Sequence, residues 1–187
     1  MSVRYRPGGS IRIEDAGAAA RGARSRSAGA IWENIIGASC QYYREKGLAN
    51  IDKTPEPMKQ LGTMGRDGRF MACYAKMAQP DYKGTLQGGR SIVFEAKCTE
   101  ADRMNRSVIS SEQETQLNLH ERLGAACYVM VTFGFAVFFK IPWPVFRDMK
   151  EHFGRKYITP DDVQEYKVPF IGGVVHFLGK EDCNGKT

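Results

Sequence analysis

Between Pro80 and Lys97 the chain has little choice but to form two short strands joined at a glycine pair. Ser91-Ile92-Val93-Phe94-Glu95-Ala96-Lys97 reads as a strand, with Ile92 and Phe94 on one face. Side chains two apart on a strand point the same way, so Glu95 and Lys97 share the opposite face. Upstream, Gln87-Gly88-Gly89 is a turn signal, and Asp81 to Leu86 supplies the partner strand. A hairpin centred on Gly88 sets Asp81 across from Glu95, and directly paired residues lie roughly 5 Å apart at Cβ. Two carboxylates and a lysine then converge on one point. A slip of one residue would disperse them, so the constellation depends on the turn.

Carboxylates at that separation suit Mg²⁺, a hard cation that keeps several waters and accepts phosphate oxygens. Such an ion stabilises charge on a phosphodiester and lowers the pKa of a bound water. Lys97 beside it could orient or help deprotonate that water, or offset developing negative charge. The same three residues also fit an ordinary cross-strand ion pair, and an aspartate followed by Glu-x-Lys often arises by chance. The rest of the chain has to decide between them.

A length of 187 residues predicts one domain with appendages, and no apolar run is long enough to span a bilayer. Cys40, Cys73, Cys98, Cys127 and Cys183 are odd in number and contain no Cys-x-x-Cys. This pattern argues for a reducing cytoplasm rather than a disulfide framework or a zinc site. His120, His152 and His176 lack metal-ligand spacing and read as ordinary histidines. The net charge of +6 is unevenly placed. Arg4, Arg6, Arg12, Arg21, Arg24 and Arg26 face only Glu14 and Asp15 in the first 28 residues, among glycine, alanine and serine. That composition cannot bury a core, so residues 1–27 read as a flexible basic arm, either a solvated tail or a contact to nucleic acid. The acidic pair argues against a mitochondrial transit peptide, and no secretory signal is present.

Along the chain, Ala28 to Lys46 reads as a helix with Ile31, Ile35, Ile36, Cys40 and Tyr43 near one stripe and Gly47 as its stop. Glu33 lies off that stripe, either solvated or facing the carboxylate pair. Leu48 to Lys53 is a strand candidate. Met58 to Arg69 is polar and basic (Lys59, Arg66, Arg69) and reads as a loop or projection, after which Phe70 to Lys76 re-enters the sheet. Ser110 to Glu114 offers two capping-box registers, Ser110 with Gln113 and Ser111 with Glu114, for a helix running to about Leu123. Gln113 in its first turn either caps the helix or projects toward the carboxylates. Strands follow at Ala126 to Phe133 and Phe135 to Ile141, then a helix from Trp143 to Phe153 ending at Gly154. Thr159-Pro160-Asp161-Asp162 starts a last short helix. The order predicts an α/β protein with a mixed central β-sheet flanked by α-helices.

Taken together, these residues resemble the RecU-type Holliday junction resolvases of Gram-positive bacteria and their phages, within the PD-(D/E)XK nuclease superfamily. The matching stretches are Arg24 to Ser27, Tyr42-Tyr43 to Lys53-Thr54-Pro55, Pro80-Asp81-Tyr82-Lys83-Gly84 and Gly89-Arg90. They continue through Phe94-Glu95-Ala96-Lys97 with Thr99, Glu112-Gln113, Leu117 and Cys127 to Phe133. The resemblance implies a restriction-endonuclease-like core, residues 28–187, carrying a stalk-like projection near 58–70. It implies that Asp81 and Glu95 bind Mg²⁺ (Mn²⁺ substituting), that Gln113 approaches the metal, and that Lys97 stabilises the transition state. A two-fold homodimer in the cytoplasm of a bacterial or phage-infected cell would nick opposed strands of branched DNA, above all a four-way junction. The basic arm (Arg21, Arg24, Arg26) and the stalk (Lys59, Arg66, Arg69) would contact the DNA. Pro80 stands where the family often has threonine, and Glu112 where it has histidine. Two other functions fit the same residues: a restriction-like duplex nuclease, and a catalytically idle recombination accessory protein that binds DNA.

Overall fold

Alanine and arginine dominate the start of the first helix, both strong helix formers. A computed structural model describes residues 13–55, 58–61, 63, 69, 71–74, 79–179 and 182. In it, α1 spans Ile13–Glu45, so it begins well before Ala28 and takes in residues 13–27 of the expected arm. A segment of this composition cannot bury a core, but it can form a helix. A turn added to an existing packed helix needs no new nucleus. Residues 1–12 lie outside the described residues.

The buried face of α1 is Ala28, Trp32, Ile36, Cys40 and Tyr43. Steps of four and three keep these residues on one stripe. Ile31, placed on the stripe from sequence, is instead 51% exposed, because Trp32 one position on occupies the core. Then come β1 (Ala49–Lys53), β2 (Met58–Leu61), β3 (Met71–Tyr74), β4 (Tyr82–Leu86) and β5 (Ser91–Thr99). A short β6 (Met104–Asn105) leads through a 3₁₀ turn to α2 (Ser111–Arg122), β7 (Ala126–Phe133) and β8 (Val137–Pro142).

The central sheet has the order β1-β4-β5-β7-β8-β10, where β10 is the short strand Lys167–Val168. Within it β5 and β7 run parallel, joined through α2, and the other pairs are antiparallel. Alternation along the strands feeds two cores. Ile92, Phe94 and Met130 pack beneath Trp32, Ile36 and Tyr43 of α1. Val93, Val129 and Val131 pack on the other side with Leu117 of α2 and with Trp143 and Phe146. With apolar residues on both faces, β7 reads as a nearly continuous apolar run. The architecture is therefore the mixed sheet flanked by helices that the element order predicts.

Two further expectations need correction. Of the strand expected over Phe70 to Lys76, the described part, Met71–Tyr74, is not in the central sheet: β3 pairs with β2 in a separate two-stranded ladder, with Lys59 opposite Cys73. Part of the expected loop, Met58–Leu61, is therefore strand. A two-stranded ladder is held by backbone pairing, and this stretch is too polar to advertise it by periodicity. Second, the helix expected over Trp143 to Phe153 is two, α3 (Trp143–Arg147) and α4 (Met149–Phe153). They break at Asp148 (φ −98°, ψ 32°), whose carboxylate accepts hydrogen bonds from the Arg147 guanidinium. Gly154 ends α4 at φ 71°, the left-handed conformation glycine adopts without strain.

The closing segment carries no local signal that announces its position. After β9 (Tyr157–Ile158) and β10, the hairpin β11 (Phe170–Ile171) and β12 (Val174–Val175) turns the chain back over α1. Val175 and Phe177 are buried there, the Val175 N–H donates to Ser39 Oγ at 2.9 Å, and the Leu178 N–H donates to the Tyr43 hydroxyl at 2.9 Å. Asp182, 4% exposed, fastens this segment to the sheet by accepting from Lys140 Nζ and the Tyr128 hydroxyl. Among the described residues no helix is long and apolar enough to cross a membrane.

Candidate active site

The β4–β5 hairpin has the register that a turn centred on Gly88 requires: Tyr82 faces Phe94 and Gly84 faces Ile92. Gly88 and Gly89 sit at φ 91° and 89°, a conformation that disfavours any other residue. One step beyond Tyr82, Asp81 therefore arrives beside Glu95, and its Oδ2 accepts the Ala96 backbone N–H at 3.0 Å. Lys97 Nζ donates to Asp81 Oδ2 at 3.1 Å and to Glu95 Oε2 at 2.7 Å. From the first turn of α2, Gln113 Nε2 donates to Glu95 Oε2 at 2.5 Å. The structure thus brings Asp81, Glu95, Lys97 and Gln113 together.

Gln113 also resolves a choice the sequence left open. Ser110 is the N-cap of α2, with Gln113 completing the capping box, so Gln113 both caps the helix and reaches the carboxylates. Glu33 does not join the cluster by any direct contact. It pairs with Lys53 at 2.6 Å, and both side chains are about half exposed (46% and 50%). Its backbone carbonyl accepts from the Tyr82 hydroxyl at 3.3 Å, which places α1 next to the site.

Burial sets the electrostatics. Glu95 is fully buried, and burial, reinforced by the Asp81 charge and opposed by Lys97, pushes its carboxyl up to about 8. Burial also pulls the Lys97 ammonium down, but the Asp81 and Glu95 charges together outweigh it and raise its pKa. Lys97 is therefore a fixed cation in this arrangement, suited to offset negative charge rather than to take up a proton.

The Glu95 shift carries a stability consequence. A carboxyl whose folded pKa lies above its ordinary 4.5 contributes stability that is complete below that value and is lost as pH rises through about 8. In chelator-treated protein the urea midpoint should fall steadily from pH 5 to pH 8.5. Glu95→Gln should flatten that fall; an unchanged slope would place the titrating group elsewhere.

Glu95 Oε1 is buried and has no hydrogen-bond partner. A buried carboxylate oxygen is costly to leave unpaired, and a hard cation is a natural partner for it. Among the described residues no group of three or more histidine, cysteine, aspartate and glutamate side chains surrounds a common point. The side-chain donors beside the unpartnered oxygen are the carboxylates of Asp81 and Glu95, an all-oxygen pair that fits a hard divalent cation.

The chain matches the family model for recombination protein U, RecU, over residues 27–179. The chain belongs to the RecU family. It is accordingly a nuclease of the Holliday junction resolvase kind. None of the curated proteins matches it. Among solved structures it is similar to Hjc, a Holliday junction resolvase from the archaeal hyperthermophile Archaeoglobus fulgidus. The two share 14% identity, with 72% of this chain and 85% of that chain covered and a TM-score of 0.43.

The family match starts at Ser27, inside α1, and the basic residues singled out from sequence lie on both sides of that point. Arg24 and Arg26 are exposed on α1, and Arg24 lies 3.8 Å from Glu100 just beyond the end of β5. An exposed pair of this kind adds little stability, but it shows that the arginine-rich turn passes the end of the strand bearing Glu95 and Lys97. Arg21 is in the helix by its backbone, and Lys59 is in β2. Arg69 is exposed, and Arg66 lies outside the described residues.

Proposed function

We propose that this RecU-family chain is a Mg²⁺-dependent endonuclease that resolves four-way DNA junctions by paired, symmetric nicks, acting as a homodimer in the cytoplasm. The observation that carries the cation dependence is the buried, unpartnered Glu95 Oε1 beside Asp81 and Lys97. Asp81 and Glu95 would hold the ion, with Mn²⁺ able to substitute, and Gln113 stands against Glu95 from its helix. When bound, the ion supplies Lewis-acid stabilisation of the phosphate and a more acidic water.

The chain's own groups do the rest. Lys97, kept protonated by two carboxylates, balances charge that builds on the scissile phosphate. The Ala96 N–H and Lys97 hold Asp81 Oδ2, leaving the rest of a one-third exposed carboxylate turned to solvent and substrate. Gln113 and Lys97 fix Glu95 Oε2. A homodimer would set two such sites about a dyad, the symmetry that paired cuts across a junction require.

The decisive experiment is cleavage of a labelled four-way junction beside a duplex of the same sequences, with Mg²⁺ or with EDTA. Symmetric nicks confined to the junction and to Mg²⁺ support the proposal. Duplex cutting would transfer it to a restriction-like nuclease, and tight junction binding without cutting to an accessory protein.

The arginines of residues 1–23 would neutralise phosphates without reading sequence. Deleting them should weaken junction binding and shallow its salt dependence by about 0.7–0.9 in log–log slope for each phosphate no longer neutralised. A slope unchanged between about 50 and 200 mM salt would mean that the segment does not touch DNA.

A further inference from the structure

Glu95 is held in part by a group outside its own hairpin, and that group belongs to the start of a helix. Ser110 Oγ accepts the Gln113 backbone N–H at 3.2 Å, and Gln113 Oε1 accepts the Ser110 N–H at 3.1 Å. The same side chain then donates from Nε2 to Glu95 Oε2. These partners fix which way the amide faces. A backbone N–H can only donate, so the amide oxygen must meet Ser110, and the amide nitrogen must meet the carboxylate oxygen that already accepts from Lys97. With Oε2 occupied twice, Oε1 is the carboxylate oxygen left without a partner.

We propose that the capping box of α2 is a positioning device for the cation site. Ser110 anchors Gln113, and Gln113 with Lys97 locks the Glu95 carboxylate so that Oε1 alone is presented to a divalent cation. This inference rests on the cation-dependent nuclease reading above. Ser110 makes no hydrogen bond to Asp81 or Glu95 itself, so it is a positioning residue that acts through Gln113. A glutamine freed from its cap regains rotamers, and the carboxylate it holds can then turn and exchange its two oxygens. Helix capping and cation binding are thus coupled through one side chain. Partners of this kind, one step removed from a metal, typically change metal affinity or activity by about 10–100-fold when removed.

The test uses the full chain and three variants: Gln113→Met, Ser110→Gly and Ser110→Thr. Gly is a tolerated N-cap that lacks the Oγ acceptor, and Thr retains it. Three quantities are measured: Mg²⁺ binding by titration calorimetry without DNA, the melting temperature in EDTA, and the Mg²⁺ concentration for half-maximal junction nicking. Gln113→Met should weaken Mg²⁺ binding by about 10–100-fold and raise the half-maximal concentration in step. Ser110→Gly should shift both in the same direction by a smaller factor, and Ser110→Thr should restore parental values. At saturating Mg²⁺ the nicking rate of Ser110→Gly should return close to that of the parent, which a general loss of folded protein would not allow. If Gln113→Met and Ser110→Gly bind Mg²⁺ as the parent does and lower only the melting temperature, the capping box is purely structural and the proposal is overturned. Parent and Glu95→Gln proteins that bind Mg²⁺ equally would instead overturn the site assignment on which it rests.

Discussion

Glu95→Gln should lower Mg²⁺-dependent junction cleavage by about a thousandfold or more, with junction affinity almost unchanged. The ion is asked to supply several kcal/mol of transition-state stabilisation, and about 4 kcal/mol added to the barrier is about a thousandfold in rate. The replacement keeps the shape of the side chain, so Lys97 and Gln113 still have a polar neighbour. It also removes a buried carboxyl whose ionisation is disfavoured, so the variant should melt no lower than the parent above pH 8. Loss of cleavage therefore cannot be put down to unfolding. Asp81→Asn should fall nearly as far, since Asp81 is the other carboxylate available to the ion. DNA affinity persists because deleting negative charge does not weaken phosphate contacts. Cleavage by either variant within tenfold of the parent would remove the Asp81–Glu95 assignment.

Gly84→Ala should be the most damaging small substitution in the sheet. Gly84 lies in β4 between β1 and β5, opposite Ile51 and Ile92. A Cβ placed there would stand 2.2 Å from the Asn50 carbonyl oxygen and 2.6 Å from the Ile51 Cα. Both obstacles are backbone of β1, so no side-chain rotation relieves them. Overpacking usually costs 1–3 kcal/mol, and a clash with backbone belongs at or beyond the top of that range, about 3 kcal/mol. For a chain of this size that corresponds to a fall of roughly 6–12 °C in melting temperature. Because β4 delivers Asp81 to the site, the surviving folded fraction should also cleave poorly. Gly37→Ala is the matched control: it lies exposed within α1 and its Cβ would meet nothing within 4 Å. That change should stabilise by about 0.5–1 kcal/mol. A Gly84→Ala protein melting within a degree of the parent would show that β1 and β4 are not as closely apposed as described.

The candidate site was legible in sequence to the extent that it is local. The Gly88-Gly89 turn sets a register, alternation along a strand sets a face, and those two rules are enough to bring Asp81, Glu95 and Lys97 together. Ser110 with Gln113 was legible as one of two capping registers, because a cap is made within four residues, and the fold took that one over Ser111 with Glu114. The sequence could not show that Gln113 reaches Glu95, since the distance between them is set by how α2 packs on the sheet. The same holds for Glu33, whose partner Lys53 comes from another element.

Local rules misjudged α1 in two ways. They set its start at Ala28, because the preceding residues have nothing to bury, although Ala and Arg propensity carries the helix back to Ile13. They also put Ile31 rather than Trp32 on the buried face, because apolar spacing alone does not fix where a stripe is centred. The β2–β3 ladder and the closing segment that covers α1 were illegible for a different reason. Their partners come from other parts of the chain, which no local pattern specifies, as Leu178 on Tyr43 and Lys59 opposite Cys73 illustrate.

By itself, then, the sequence determined β1, β4, β5, α2, β7 and β8, the hairpin register and the convergence of two carboxylates with a lysine, because each follows from backbone geometry over a few residues. Only the tertiary structure decided that Glu95 is fully buried with one oxygen unpartnered, that a helix cap grips the other, and that Lys97 stays charged between them. Those properties arise from desolvation and from contacts between elements distant in the chain, and neither is written in any local pattern.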